Sequence, residues 1–317
     1  MTPGAHMQSE IAEAPGVFAR TLANIPTLQI NLSDITALYT IARGSSDAAA
    51  NILSYEFMRE LGLPMTSLPP SVFSLGKGVN LARSLVLIVS QSGASEDLVR
   101  SAQGARAAGA AVMAITNQPG SPVEQHAHVT LPIAAGPELA VPATKSVIGS
   151  VAAGLALLSA LKPGYRAQPF PITPHPHAQT ITTALTRATH VYIIGRDTGY
   201  GAAQELALKI KETCAIHAEA YSSSEVLHGP LQLATKPLLT LILDTGLADI
   251  QDSLDTAEHR FRATGGPVYR IKSTCANPAA AAAQLLCLTY PIVLDTALAL
   301  GHDPDRPATL SKVTQTR

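Results

Sequence analysis

A chain of 317 residues, 46% hydrophobic and 14% charged, holds enough apolar material for two domain cores and is not a disordered chain. Its 22 basic and 23 acidic residues leave a net charge of −1, which excludes a general electrostatic grip on nucleic acid or an anionic membrane. Aromatics at 4% and no Trp exclude stacking platforms for single strands.

In chain order, residues 1–30 read as an N-terminal segment, with residues 1–6 ahead of a native start at Met7. The first strand, 37–42, runs into Arg43-Gly-Ser-Ser46, and a helix is predicted over 47–61. The apolar run 85–89 is a strand covered on both faces, as in a parallel sheet. It ends in Ser90-Gln-Ser-Gly93 and a helix to about Ala108. Residues 111–116 form a third strand and 146–161 a buried helix. Prolines 163, 169, 171, 174 and 176 mark a stiff linker over 164–180. The layout then returns. Residues 190–194 lead into Gly195-Arg-Asp-Thr-Gly199 and a helix to about Thr213. Residues 238–243 lead into Asp244-Thr-Gly246 and another helix, and 267–271 is the last strand. The paired glycines stand about 150 residues apart, which is domain duplication rather than a solenoid. The expected architecture is α/β: two tandem doubly wound, flavodoxin-like parallel sheets in three αβα layers. The domains are placed at 31–163 and 181–300, followed by a tail at 301–317. No run of eighteen apolar residues and no signal sequence occurs. Cys214, Cys275 and Cys287 lack metal or disulfide spacing, so a cytoplasmic protein with core thiols is expected.

Ligands of doubly wound sheets bind beyond the carboxyl ends of the strands. There the first half places Gly44, Ser45, Ser46, Ser90, Gln91, Ser92 and Ser95. Hydroxyls and free N–H groups at helix N-termini suit a phosphate; the same serines also serve as N-caps and turn formers. There is no Walker loop and no Gly-x-Gly-x-x-Gly turn after a strand, so no nucleotide cofactor is expected. The second half carries Asp197 and Asp244 at the matching positions, which disfavours a second phosphate. Lys209 and Glu212 share a helix face, as a catalytic pair or as an ordinary surface pair. His217, Glu219, Glu225 and His228 lack metal-ligand spacing, and no metal is expected.

Taken in order, Gly44-Ser-Ser46, Ser90-Gln-Ser-Gly93, Ala143-Thr-Lys145, His217-Ala-Glu-Ala-Tyr221, His228-Gly-Pro230 and the ending Asp303-Pro-Asp-Arg-Pro307 to Lys312-Val-Thr314 resemble the SIS (sugar isomerase) domain family. Within that family, the whole chain from about Glu10 resembles the isomerase half of glucosamine-6-phosphate synthases. The glutaminase domain with its N-terminal cysteine, by which those enzymes obtain ammonia, has no counterpart here, and stand-alone chains of this kind resemble SIS-type glucosamine-6-phosphate deaminases. The resemblance implies conversion of glucosamine 6-phosphate to fructose 6-phosphate and ammonium without a cofactor. It assigns Glu212 to proton transfer, Lys209 to stabilising the enediolate, and His228 to ring opening in a partner subunit's site, hence a homodimer. A histidine pKa of about 6.5 suits that task. Lys312 matches the synthases' Schiff-base lysine and here either repeats that role or orients the substrate. Ser46, Ser90, Gln91, Ser92 and Ser95 match the phosphate positions, with Gly44, Ser45, Ala143 and Thr144 beside the sugar. Three positions depart from the synthases: Arg43 replaces cysteine, Ser95 threonine, and Leu227 the lysine before His-Gly-Pro. Galactosamine 6-phosphate, a fructosamine phosphate, or a non-catalytic sugar-phosphate sensor are the alternatives.

Overall fold

The computed structural model describes residues 2–28 and 33–312. The first two residues of the first predicted domain, 31–32, and the end of the tail, 313–317 with its Val-Thr pair, lie outside the described residues. The chain packs as two compact units. The first-sheet unit takes the described parts of Gly16–Pro137 and Lys145–Pro169. The second-sheet unit takes the residues up to Pro15, the strap Glu138–Thr144 and Phe170–Lys312. Helix α1 (Ala5–Leu22) carries the chain from one to the other at Pro15.

In the first-sheet unit, β1 (Ala37–Ile41) is followed by α2 (Gly44–Leu61), β2 (Met65–Ser67) and the single turn α3 (Ser71–Ser74). Then come β3 (Ser84–Ser90), α4 (Glu96–Ala107), β4 (Ala111–Thr116), β5 (Val129–Pro132) and α5 (Lys145–Leu161). The strands form a parallel sheet in the order β2-β1-β3-β4-β5. All seven residues of β3 are buried, because helices cover both faces of a parallel sheet. Helix α5 is buried along nearly its whole length and packs on α2.

The second-sheet unit repeats the plan. It contains α6 (Ala178–Leu185), β6 (His190–Gly195), α7 (Thr198–Cys214), β7 (His217–Ser222), β8 (Leu239–Asp244), α8 (Gln251–Arg262), β9 (Val268–Lys272) and α9 (Pro278–Ala299). Its parallel order is β7-β6-β8-β9, the same winding with one strand fewer. The predicted fold class is therefore the observed one. Helix α9, which is not among the expected elements, is long and apolar enough to cross a membrane by length and composition, but 83% of its apolar window is buried inside the fold. It is the core helix against which α6 and α7 pack. Cys214 and Cys287 are buried thiols of this core, and burial pushes the Cys214 pKa up to about 11.

The turn from β6 into α7 sets where the α7 side chains point. A Cβ on Gly195 would lie 2.1 Å from the carbonyl oxygen of Gly199, a backbone atom that can move only if α7 moves. Gly195→Ala is expected to destabilise the protein by about 3 kcal/mol, measured as a lower urea midpoint. An unchanged midpoint would mean the turn relaxes freely.

Candidate active site

Strand order reverses between β1 and β3, and the crevice beyond their carboxyl ends is where a doubly wound sheet binds its ligand. Helix α2 begins at Gly44, three residues earlier than predicted, so Ser45 and Ser46 lie in its first turn, half-buried. Two of the serines form turns: Ser90 Oγ accepts the Gly93 N–H at 3.1 Å and Ser92 Oγ that of Ala94 at 3.3 Å. Ser95 occupies the N-cap position of α4 but makes no capping bond. Among the described residues the side chains of Ser45, Ser46, Gln91 and Ser95 hydrogen-bond to no protein group. Gly93 keeps the crevice tight, at φ 61°, with a would-be Cβ 2.2 Å from Ser121 Oγ. Arg43, at the N-cap of α2, forms an ion pair through Nε with Asp97 Oδ2 in the first turn of α4.

In the second-sheet unit the matching strand ends are filled internally. Asp197 caps α7 by accepting the Thr198 N–H at 2.7 Å. Asp244 is fully buried and accepts from Gly246 N, Gln251 Nε2 and Arg270 Nε. The chemistry lies instead toward the end of α7. Lys209 is fully buried, so it does not belong to a surface pair. Its Nζ hydrogen-bonds Glu212 Oε2 and lies 3.6 Å from Glu205 Oε1. Burial opposes its charge, but Glu205, Glu212 and Glu138 outweigh it and raise its pKa above the ordinary value. Tyr290 of α9 donates from Oη to Glu205 Oε1 at 3.2 Å. Burial, then Glu205, holds that phenol well above its ordinary pKa.

The strap Glu138–Thr144 brings in the second lysine. Lys312 Nζ donates to Ala140 O at 2.6 Å and stands 3.5 Å from Glu138 Oε2, and Glu138 Oε1 accepts the Thr144 N–H at 3.0 Å. Glu138 thus acts on both Lys209 and Lys312. Thr144 is fully buried and its hydroxyl meets no partner among the described residues, while Ala143 beside it is half-buried. The Val141 N–H donates to Asp305 O at 3.0 Å. Asp305 and Asp303 explain the Asp-Pro-Asp of the tail: their carboxylates accept the N–H groups of Gly4, His6 and Met7 at 2.8–3.1 Å. They supply the anionic cap that a helix N-terminus favours, so residues 4–7 are part of the fold. Glu212, at 23% side-chain exposure, lines a cavity of about 480 Å³ between the end of α7 and the tail at Asp303, Arg306 and Leu310. A larger hollow, about 570 Å³, opens before β6, β8 and β9. None of the predicted site residues lines it, and the cavity at Glu212 is the one the chemistry reaches.

Glu10 holds the strap from beneath, accepting the N–H groups of Leu139 and Ala140. Burial is the largest influence on its carboxyl and raises its pKa above 4.5; Glu138 adds to this, while the two N–H donors and Lys312 oppose it. A raised folded pKa contributes stability below the unfolded value that is lost as pH rises through the folded one. Glu10→Gln should therefore gain on the wild type as pH goes from about 4.5 to 7.5, read from urea midpoints. A constant difference would contradict the shift.

His228 is exposed on the loop after β7. Its ring makes no hydrogen bond or ion pair with the Lys209–Glu212 cluster or any other described residue. Leu227 beside it packs against the apolar cluster of Tyr192 and Val226. His217 Nε2 lies 3.6 Å from Glu219 Oε1, and no group of three or more His, Cys, Asp or Glu among the described residues is placed to hold a metal. Glu10, Glu138 and Glu205 were missed from sequence. Only Glu205 had a signal, four residues before Lys209 on the same helix.

The SIS domain family model matches residues 31–160 and 184–298. The glutamine–fructose-6-phosphate aminotransferase [isomerizing] of Brucella abortus is 26% identical over 352 aligned residues, covering 96% of this chain. The chain spans 58% of that relative's length. An inferred phosphosugar isomerase from Silicibacter pomeroyi is 32% identical, with a TM-score of 0.78 over 94% of this chain and 99% of that one. The glucosamine-6-phosphate deaminase of Thermotoga maritima shares the fold at 20% identity, with a TM-score of 0.77 over 98% of this chain and 100% of that one. With two matched copies over well over half its length, the chain belongs to the SIS domain family.

Proposed function

We propose that the protein is a glucosamine-6-phosphate deaminase. The observation that carries this reading is a carboxylate, Glu212, hydrogen-bonded to a fully buried lysine and facing a cavity. An aldose–ketose conversion needs such a base beside a fixed positive charge. The names of the relatives support the substrate: an aminotransferase named for fructose 6-phosphate and a deaminase named for glucosamine 6-phosphate.

In this reading the serine cradle takes the phosphate and His228 moves the proton from the C1 hydroxyl to the ring oxygen, opening the sugar. Glu212 removes the C2 proton from the open aldose and the C1 oxygen takes the charge beside Lys209; that oxygen takes a proton from the substrate's ammonium group, and Glu212 returns its own proton to C1. The resulting C2 iminium adds water and expels ammonia, leaving fructose 6-phosphate. Lys312, held by Ala140 O, orients the open chain. Because no group among the described residues engages the ring of His228, we assign it to the site of a second copy in a homodimer. Mixing His228→Ala with Glu212→Gln protein should restore activity that neither has alone; an inactive mixture places His228 in its own subunit's site.

Substrate identity is tested with glucosamine 6-phosphate, galactosamine 6-phosphate and fructosamine 6-phosphate in parallel. The expected order puts glucosamine 6-phosphate first by about tenfold or more in kcat/KM. Another sugar in first place replaces it as substrate, and binding without turnover of any of them makes the protein a sensor.

A further inference from the structure

We propose that Arg43 is the cation that receives the ligand's phosphate in the serine cradle, an inference that rests on the phosphosugar reading above. The other cradle groups are neutral: the hydroxyls of Ser45, Ser46, Ser90, Ser92 and Ser95, the Gln91 amide and backbone N–H groups. A phosphate monoester brings close to two negative charges at neutral pH, and a neutral cradle leaves them uncompensated.

Arg43 is built to supply the charge. It stands immediately before α2 and is ion-paired through Nε to Asp97 at the start of α4, so one side chain ties together the two helix N-termini that form the cradle. Asp97 is fully buried, and its other oxygen accepts the Leu98 N–H at 2.9 Å. The anchor is therefore fixed on both sides. Its partner is not enclosed: the Arg43 side chain is 45% exposed, and its Nη1 and Nη2 donate to no group among the described residues. A guanidinium pinned by Nε presents its two remaining nitrogens as a planar fork, the geometry that binds phosphate oxygens in pairs. The neighbouring carboxylates are engaged elsewhere. Asp47 accepts from Ser67 Oγ at 3.3 Å and Glu96 pairs with Arg100, so neither competes for the fork.

The test is calorimetric titration with inorganic phosphate, fructose 6-phosphate and fructose at low ionic strength. Arg43→Met should weaken inorganic phosphate and fructose 6-phosphate by about tenfold or more and leave fructose unaffected. Arg43→Lys should recover part of the loss. In turnover, KM should rise by the same factor while kcat falls less than about threefold, the pattern of a contact made equally in ground and transition states. Arg43→Met leaves Asp97 buried without its partner, so Arg43→Met/Asp97→Asn, which removes both charges, decides the matter should the single variant unfold. A wild type that binds both phosphates, with a Met variant that binds them equally well, overturns the role of Arg43 and leaves the phosphosugar reading standing. A wild type that binds neither overturns both.

Discussion

Glu212→Gln is expected to lower kcat by about 10³-fold with fructose 6-phosphate still bound. The amide keeps an oxygen for Lys209 Nζ, and Lys209 retains Glu205 at 3.6 Å, so the buried ammonium is never left without a carboxylate. What the amide lacks is the basicity to take a proton from C2. Rate of fructose 6-phosphate release and calorimetric affinity, measured on one preparation, separate the two effects. A variant with kcat within tenfold of the wild type would remove Glu212 from the chemistry. A variant that neither binds nor melts cooperatively would make Glu212 structural.

Lys209→Met carries the largest expected cost in stability. Lys209 is fully enclosed between Glu205 and Glu212, and Glu138 also acts on it. Methionine fills the volume but removes the ammonium that stands 3.6 Å from the fully buried Glu205 carboxylate. Removing one partner of a buried ion pair costs about 4 kcal/mol, a fall in Tm of about 10 °C for a chain of this size. Adding Glu205→Gln should return most of the stability, because the buried carboxylate that lost the Lys209 charge is then neutral. It should not return activity, since the positive charge beside the C1 oxygen is still missing. A Lys209→Met protein as stable as the wild type would show that the carboxylates take up protons at little cost. A fully active double variant would deny Lys209 any part in the reaction.

The two-fold repeat of the fold was legible because strand runs such as 85–89 and 238–243 end in glycine turns at matching spacing. The serine cradle was legible for the same reason: strand order reverses between β1 and β3, and sequence alone placed the serines at those ends. Glu212 is harder, since it lies toward the carboxyl end of α7 rather than at a strand end, and only its spacing from Lys209 and a family resemblance pointed to it. The burial of that pair was invisible, because a Lys–Glu i, i+3 pair looks the same on a surface as beneath α9. Glu10 and Glu138 could not be found at all. Their roles depend on a strap that returns to the N-terminal helix and the tail, contacts between segments more than a hundred residues apart. The Asp-Pro-Asp of the tail was recognised as a pattern, but its physical task, capping the helix at residues 4–7, required the fold.

Deaminase activity shows itself when the purified protein is given glucosamine 6-phosphate alone, with no glutamine, metal or nucleotide, and fructose 6-phosphate and ammonium are followed together. A glucosamine-6-phosphate deaminase of this mechanism releases both in equal molar amounts, at a rate that Glu212→Gln reduces by about 10³-fold. Glucosamine 6-phosphate recovered intact from a protein that turns over another phosphorylated sugar, or fructose 6-phosphate formed at the same rate by the Glu212 variant, would contradict it.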